Sequence, residues 1–156
     1  MSVHSARLIW RSDGDFASGR YSRRHEWRFD GGAVVVGSAS PDVVPAPLSD
    51  PAAVDPEEAL VASVASCHML WFLDLARRAG FSVAEYEDAA EGVMGRIAAG
   101  RMALTRIALR PRIRFEGQAP GEGELARLHE QAHARCFIAN SLKTEVVVEA
   151  PAMEPG

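Results

Sequence analysis

The residues with the clearest capacity for chemistry lie in one short segment of the second half of the chain. Residues 128–140 run LHEQAHARCFIAN, where His129, Glu130 and His133 form an H-E-x-x-H pattern and Cys136 follows. Two histidines four residues apart share one face of a helix and can bind a single zinc ion, with the glutamate as general base. Cys136 would then be the third ligand.

A helix with ordinary surface histidines is the competing interpretation. A five-residue pattern with two free positions arises by chance, whereas a closed zinc site needs a second Cys/His pair. Only Cys67 and His68 could supply that pair, and they lie on another element. We therefore favour surface histidines and expect no bound metal, with a zinc hydrolase kept as the third of three functional hypotheses.

Cys67 and Cys136 are the only cysteines in the sequence of 156 residues. This number is too small for a disulfide-rich secreted scaffold, so the two thiols are either inert core groups or a redox couple. Residue type alone favours inert groups, because free cysteine is often buried. A reactive thiol needs a nearby cation that lowers its pKa, and Glu57 could hold a guanidinium in place by a bidentate pair. The N-terminal region offers three candidates: Arg20, Arg23 and Arg24.

Two predicted helices carry the cysteines. The first begins with Asp55 as N-cap and Pro56 at the first helical position. Its residues 59–73 are apolar on nearly all sides, which predicts the central buried helix of the fold. The second helix is predicted over residues 121–140. Its apolar face carries Leu125, Leu128, Ala132 and Cys136, with the two histidines at its flanks.

The other elements are predicted strands. Asp30-Gly31 indicates a hairpin in the N-terminal region. A weakly patterned strand region covers 81–94, an alternating strand covers 103–115, and a last strand covers 143–151. The order β-β-(β)-α-β-β-α-β groups strands together, which predicts the α+β class with an antiparallel sheet. The chain length fits a single domain over residues 1–156.

The segment 103–115 has two distinct faces. Pro111 within it suggests an edge position or a bulge. One face is apolar and consists of Ile107, Leu109, Pro111, Ile113 and Phe115. The other carries Arg106, Arg110, Arg112 and Arg114, which we interpret as a solvated sheet face rather than an anion-binding stripe.

Composition excludes several classes of function. The net charge is −4 and the pI is near 5.7, which argues against nucleic acid as a partner. The N-terminal residues lack an apolar stretch of signal-peptide length. The apolar run at 59–73 is shorter than the roughly 20 residues of a membrane span. We therefore expect a soluble, cytoplasmic protein without a membrane partner.

Two segments together resemble the OsmC/Ohr family of thiol peroxidases. DPEEALVASVASCHMLWFLDLARRAG is similar to the family's Asn-Pro-Glu-Glu-Leu start, with the peroxidatic cysteine ten residues after the first Glu, the spacing of Glu57 and Cys67. HEQAHARCFIANSL is similar to the family's helix in which a cysteine, here Cys136, precedes a small polar cluster. YSRRHE resembles a segment of a less characterised OsmC-like branch, where an arginine follows Tyr-Ser. Arg23 matches that arginine and Arg24 is a close rival.

The resemblance covers roughly residues 5–150 and has local departures. Asp55 stands where the family commonly has Asn, and Phe137 follows the second cysteine where Pro is usual. Cys67 is followed by HMLW, a sequence typical of the less characterised branch. These departures bear on peroxide preference more than on the fold.

The resemblance implies a mechanism. The Cys67 thiolate would attack a hydroperoxide and become a sulfenic acid, which Cys136 would resolve as a disulfide. Arg23 would lower the thiolate pKa and stabilise the leaving oxygen, and His133 could assist proton transfer. The resemblance also implies an external dithiol or lipoyl group as the reductant and a role in the antioxidant stress response. It implies no metal, flavin or haem.

The helix geometry bears on oligomeric state. Ten helical residues span about 15 Å, so Glu57 cannot reach Cys67 along its own helix. If Glu57 orients Arg23 beside Cys67, it should come from a partner chain. A helix apolar on all sides also needs more cover than one chain of this size easily gives. We expect an intertwined homodimer with two sites at its interface, as the resemblance also implies.

A second functional hypothesis is a binding module. The same OsmC-like scaffold could hold a hydrophobic small molecule with little peroxidase turnover. The departures around both cysteines sustain this alternative to an organic hydroperoxide reductase.

Overall fold

The computed structural model describes residues 1–149 and 152–153. The chain forms two compact units, one spanning Met1–Ala59 and the other beginning at Leu60. The grouped order of strands and helices confirms the predicted α+β class. In chain order the elements are β1 (Ala6–Ile9), β2 (His25–Phe29), β3 (Val34–Gly37), α1 (Pro56–Arg78), β4 (Ser82–Asp88), β5 (Glu91–Ala98), β6 (Arg101–Leu109), β7 (Pro111–Glu116), α2 (Glu122–Arg135), α3 (Phe137–Asn140), β8 (Glu145–Val148) and β9 (Ala152–Met153).

The first unit contains a sheet of order β1-β2-β3, in which both strand pairs are antiparallel. The predicted hairpin turns at Asp30-Gly31, and Gly32 supplies the left-handed backbone (φ +91) that most side chains disfavour. A Pro-rich loop follows and is tied back at Ser38. The Ser38 N–H donates to the Val54 carbonyl at 3.0 Å, and its hydroxyl accepts the Asp50 N–H at 3.0 Å. The loop thereby brings the chain to the start of α1.

Helix α1 begins where the sequence predicts, at a capping box. The Glu58 N–H donates to Asp55 Oδ1 at 2.7 Å, and the Asp55 N–H donates to the Glu58 carboxylate at 3.2 Å. Pro56 occupies the first helical position, where a missing N–H is tolerated. Gly80 follows the helix in the left-handed conformation (φ +88) that commonly ends helices.

Within the single chain one stripe of α1 is buried, and the predicted central helix leaves its opposite side exposed. Its buried residues recur every three or four positions, whereas Leu70 is 61% exposed. The helix is long and apolar enough to cross a membrane by length and composition, with 28% of its most apolar window buried. The buried stripe consists of Val64, His68, Phe72, Leu75 and Ala76.

The second unit contains two three-stranded sheets, of order β4-β7-β9 and β5-β6-β8. The pairs β4–β7 and β5–β6 are antiparallel, but β6–β8 and β7–β9 are parallel. The sheets are therefore mixed rather than purely antiparallel as predicted. The predicted last strand over 143–151 contains β8, and its residues 150 and 151 lie outside the described part of the chain.

The alternating segment 103–115 forms two strands in different sheets. The chain passes from β6 to β7 at Arg110, and Pro111 is the first residue of β7. The sequence suggests an edge position or a bulge at Pro111; since β7 lies between β4 and β9, the edge position is wrong. A first strand residue can be proline in a central strand, because this position is one of the few that tolerate it. The five predicted apolar positions are all buried: Ile107, Leu109, Pro111, Ile113 and Phe115.

The arginines of this segment lie on a solvated face, as predicted. Arg106 and Arg110 both pair with Glu149, at 2.7 and 3.1 Å. Arg114 lies 3.4 Å from Glu85 on the neighbouring strand. These side chains are about two-fifths exposed, so the pairs contribute little to stability.

Two hydrophobic clusters form the core of the second unit. The smaller one packs α1 against β6 and contains Val64, Ile107 and Leu109. The larger one packs α1 against β7 and α2, so α2 is fixed directly on the helix that carries Cys67. It consists of Phe72, Leu75, Ala76, Ile113, Phe115, Leu125, Leu128 and Ala132.

Candidate functional site

Cys136 lies at a break between two helices, not inside one continuous helix as the sequence predicts. Helix α2 ends at Arg135, Cys136 is extended (φ −66, ψ 107), and α3 starts at Phe137. The Cys136 N–H donates to the His133 carbonyl at 3.2 Å, and its sulfur accepts the Ala139 N–H at 3.4 Å. The residue closes one helix and caps the next, which fixes the position of its sulfur.

The two thiols are neighbours in the fold although α1 and α2 lie far apart in sequence. Cys67 is half-buried, Cys136 is 1% exposed, and both are free thiols. Burial raises the pKa of the Cys136 thiol, and the neighbouring Cys67 raises it further, against the opposing effect of the Ala139 N–H. Cys136 is therefore held as a protonated thiol next to the more accessible Cys67.

An open cavity of about 320 Å³ lies beside Cys67. Its wall includes Leu70, Trp71, Asp74 and Phe137. The Trp71 and Phe137 rings meet edge to face with centroids 5.5 Å apart, and Phe137 is 67% exposed. The surface that adjoins this thiol is thus mostly apolar and suits an apolar molecule.

Arg23 lies in the first unit, on the wall of an aromatic cavity of about 490 Å³. Its guanidinium lies 3.8 Å above the Tyr21 ring, and its Nη1 donates to the carbonyls of Gly19 at 3.0 Å and Tyr21 at 2.5 Å. The Trp10 and Phe16 rings complete the aromatic wall, with centroids 5.7 Å apart. Sequence reasoning missed this cavity, for which the signal was three aromatic residues within a segment rich in Ser, Asp and Gly.

Two further predicted site residues of the first unit, Arg24 and Glu57, differ in whether they form an ion pair. Arg24, the rival of Arg23, is exposed and forms an ion pair with Asp50. Glu57 is half-buried in the first turn of α1. Across residues 1–149 and 152–153, neither Arg23 nor Glu57 has an ion-pair partner. The predicted Arg23–Glu57 pair is not formed within the described part of one chain.

His129 is buried, so its predicted surface position is wrong. It is 3% exposed, and its Nδ1 is hydrogen-bonded to His68 Nε2 at 3.0 Å. Burial lowers the pKa of His129 to about 3 and that of His68 to about 4, where the charge of His133 adds to the effect. Glu130 is exposed. Among the described residues, no three His, Cys, Asp or Glu side chains are placed to hold a metal ion.

Residues 49–150, more than half of the chain, match the family model described as OsmC-like protein. The chain belongs to this family. The matched residues include Glu57, Cys67 and Cys136, whereas Arg23 precedes them. Helix α1 is accordingly the core helix of a soluble OsmC-like fold.

Solved structures agree with this assignment. An OsmC-like protein of unknown function from Vibrio cholerae is 46% identical, with a TM-score of 0.93 over 99% of this chain and 100% of that chain. An OsmC-like protein from Mycoplasma pneumoniae is 14% identical, with a TM-score of 0.75 over 99% of each chain. An organic hydroperoxide resistance protein from Elizabethkingia anophelis is 16% identical, with a TM-score of 0.69 over 100% of this chain and 98% of that chain. The last two show a shared fold alone. Comparison with curated proteins gave no significant match.

Proposed function

We propose that this OsmC-like protein is a thiol peroxidase that reduces organic hydroperoxides with Cys67 as the peroxidatic cysteine. The observation that supports this most is the proximity of two thiols from separate segments: Cys67 lies near enough to Cys136 to raise the pKa of that thiol. A buried, protonated Cys136 suits the second step of a two-cysteine reaction. The accessible Cys67 beside an apolar cavity suits the first step with an alkyl substrate.

The proposed reaction balances as follows. The Cys67 thiolate attacks the distal oxygen of the hydroperoxide, the O–O bond breaks, and the leaving alkoxide takes up a proton to become an alcohol. Cys67 is now a sulfenic acid. The Cys136 sulfur attacks the Cys67 sulfur, water leaves, and a disulfide forms. An external dithiol, of lipoyl type in this proposal, reduces the disulfide by two thiol exchanges and becomes a disulfide itself. No cofactor enters these steps.

The proposal assigns Arg23 and Glu57 to a site shared by two copies of the chain. A thiolate needs a nearby cation, and Arg23 has one guanidinium nitrogen held by two carbonyls and no carboxylate partner among the described residues. Glu57 lies ten residues before Cys67 on α1, about 15 Å along the helix. An antiparallel pairing of two α1 helices would bring Glu57 of one chain to Cys67 of the other.

The exposed side of α1 supports a homodimer as part of this proposal. Leu70 and Phe137 beside the Cys67 cavity are both more than 60% exposed. A second α1 would cover such apolar side chains in an isologous contact. We place the protein in the cytoplasm, where thiols are kept reduced.

A hydrophobic-ligand binding protein is the second candidate, favoured by the aromatic cavity of the first unit. That cavity, at about 490 Å³, falls within the size range of small-molecule sites. It lies around Arg23, whose guanidinium is positioned by backbone carbonyls and Tyr21. A ligand with an apolar body and an anionic head would fit these groups without any thiol chemistry.

A peroxide titration separates the two candidates. The reduced protein is treated with cumene hydroperoxide, its free thiols are counted, and a dithiol is added to reverse the reaction. We expect the wild type to lose both thiols reversibly. Cys67→Ser should be inert, and Cys136→Ser should complete about one turnover and then over-oxidise to a sulfinic acid. Unchanged thiols in the wild type would refute the peroxidase and leave the binding protein.

A further inference from the structure

A buried pair of imidazoles joins the two helices that lead to the cysteines. His68 Nε2 and His129 Nδ1 are 3.0 Å apart, and the two side chains are 0% and 3% exposed. Their ring planes lie within 4° of each other, and the His129 ring stacks on Phe72 with centroids 4.4 Å apart. The hydrogen bond is thus held in one geometry within the larger hydrophobic cluster.

The position of this pair relates it to both thiols. His68 directly follows Cys67 on α1, and His129 precedes Cys136 by seven residues, about two turns of α2. Cys136 is in turn fixed to the end of α2 through the His133 carbonyl. Any sliding of α2 along α1 would therefore move the Cys136 sulfur and break the imidazole hydrogen bond together.

Stability alone does not account for two histidines at this place. A neutral imidazole has one N–H and one lone pair, so the shared hydrogen bond leaves one donor and one acceptor on the outer nitrogens. Within the described residues, those atoms, His68 Nδ1 and His129 Nε2, are buried without a hydrogen-bond partner. Two apolar side chains would avoid that cost, whereas a directional bond specifies register, which apolar contacts do weakly.

We propose that the His68–His129 hydrogen bond sets the register of α1 against α2 so that the Cys67 and Cys136 sulfurs can form a disulfide. Both histidines are positioning residues and touch neither substrate nor reductant. Disulfide geometry is narrow, with an S–S length near 2.05 Å, whereas a slip of one helical turn moves a residue by about 5.4 Å. The inference concerns the thiol pair of the proposed function, but it requires only that this pair can be oxidised.

The test measures the effective concentration of the two thiols without a hydroperoxide. The protein is equilibrated with mixtures of glutathione and glutathione disulfide. Two protein thiols are oxidised to the Cys67–Cys136 disulfide, while one glutathione disulfide is reduced to two glutathiones. The variants are His129→Leu, His68→Leu and the double variant. The double variant leaves no orphaned imidazole, and far-UV circular dichroism verifies its fold.

We expect all three variants to lower the effective concentration by roughly tenfold to a hundredfold, because small misplacements of reacting groups cost that much. Ile113→Val is the matched control, since Ile113 lies in the same buried cluster on a strand. It should leave the effective concentration unchanged. A folded double variant with the wild-type value would overturn the proposal, and so would a wild type that forms no disulfide. A wild type that forms the disulfide but ignores cumene hydroperoxide would refute only the peroxidase.

Discussion

The buried imidazole pair predicts a large loss of stability in mild acid. In the unfolded chain each histidine titrates near pH 6.5, whereas burial lowers the pKa of His68 to about 4 and that of His129 to about 3 in the fold. Between these values the unfolded chain binds more protons than the folded chain. The free energy of unfolding must therefore fall as the pH falls below 6.5, and the loss levels off only below about pH 3 to 4.

The magnitude follows from the distance in pH. One unit of pKa difference corresponds to about 1.4 kcal/mol. At pH 5, which is 1.5 units below the unfolded value, each histidine removes roughly 2 kcal/mol and the pair roughly 4 kcal/mol. A domain with a total stability of about 5–15 kcal/mol would lose a large fraction of it.

The assay is urea unfolding at pH 7, 6 and 5, followed by far-UV circular dichroism at one protein concentration. His68→Leu/His129→Leu is the comparison, because carboxylates that titrate in this range are common to both proteins. From pH 7 to pH 5 the wild type should lose roughly 4 kcal/mol more than the double variant.

The control is His4→Gln, which removes an exposed histidine and should follow the wild type at every pH. Parallel pH profiles for the wild type and the double variant would show that the imidazoles are not buried as a neutral pair, and the reasoning would fail. A double variant that is more stable than the wild type at pH 7 agrees with it, since the unpaired nitrogens carry a cost.

Three further outcomes are expected. Arg23→Gln should slow the oxidation of Cys67 by cumene hydroperoxide by roughly a hundredfold, measured by stopped-flow thiol loss. In the control Arg24→Gln, which changes an exposed, ion-paired arginine, the oxidation rate should stay within about twofold of the wild type. Asp55→Ala removes the capping box of α1 and should cost about 1 kcal/mol in urea unfolding. Leu70→Glu places a charge on the exposed side of α1 and should give one chain, 16.8 kDa, by light scattering where the wild type gives two; a wild type of one chain would contradict the dimer.

Local signals made the start of α1 predictable from sequence. The Asp55–Glu58 capping box needs only residues within one turn, and both of its hydrogen bonds form. Chain order likewise gave the α+β class. The division of segment 103–115 into β6 and β7 could not be predicted. Apolar and polar residues continue to alternate through Arg110, although the strands that pair with the segment change there. The parallel pairings of β8 and β9 join strands far apart in the chain, which no local pattern encodes.

The candidate site divides in the same way. Periodicity placed Leu125, Leu128, Ala132 and Cys136 on one face of the second predicted helix, and all four are buried. Periodicity also placed His129 at the flank of that face. Its burial depends on the hydrogen bond with His68 Nε2, which the sequence pattern does not reveal. The break at Cys136 was not predicted, because the apolar residues of 122–140 keep a helical spacing. One residue with an extended backbone does not change that spacing. The nearness of the thiols followed from family resemblance alone.

Two observations with separate causes support the proposed second copy of the chain. The first is hydrophobic. Helix α1 has 23 residues, and 28% of its most apolar window is buried in one chain. Exposed apolar surface costs about 25 cal/mol per Å², which a partner would recover by covering it. The second is electrostatic: Arg23 and Glu57 lack ion-pair partners within the described residues, although the proposed cysteine chemistry needs a positioned cation. An antiparallel copy of α1 would cover the apolar side of the helix and would also bring Glu57 of one chain towards Arg23 and Cys67 of the other. Dimerisation and thiol activation would then be one event, so a variant that separates the chains should also slow Cys67.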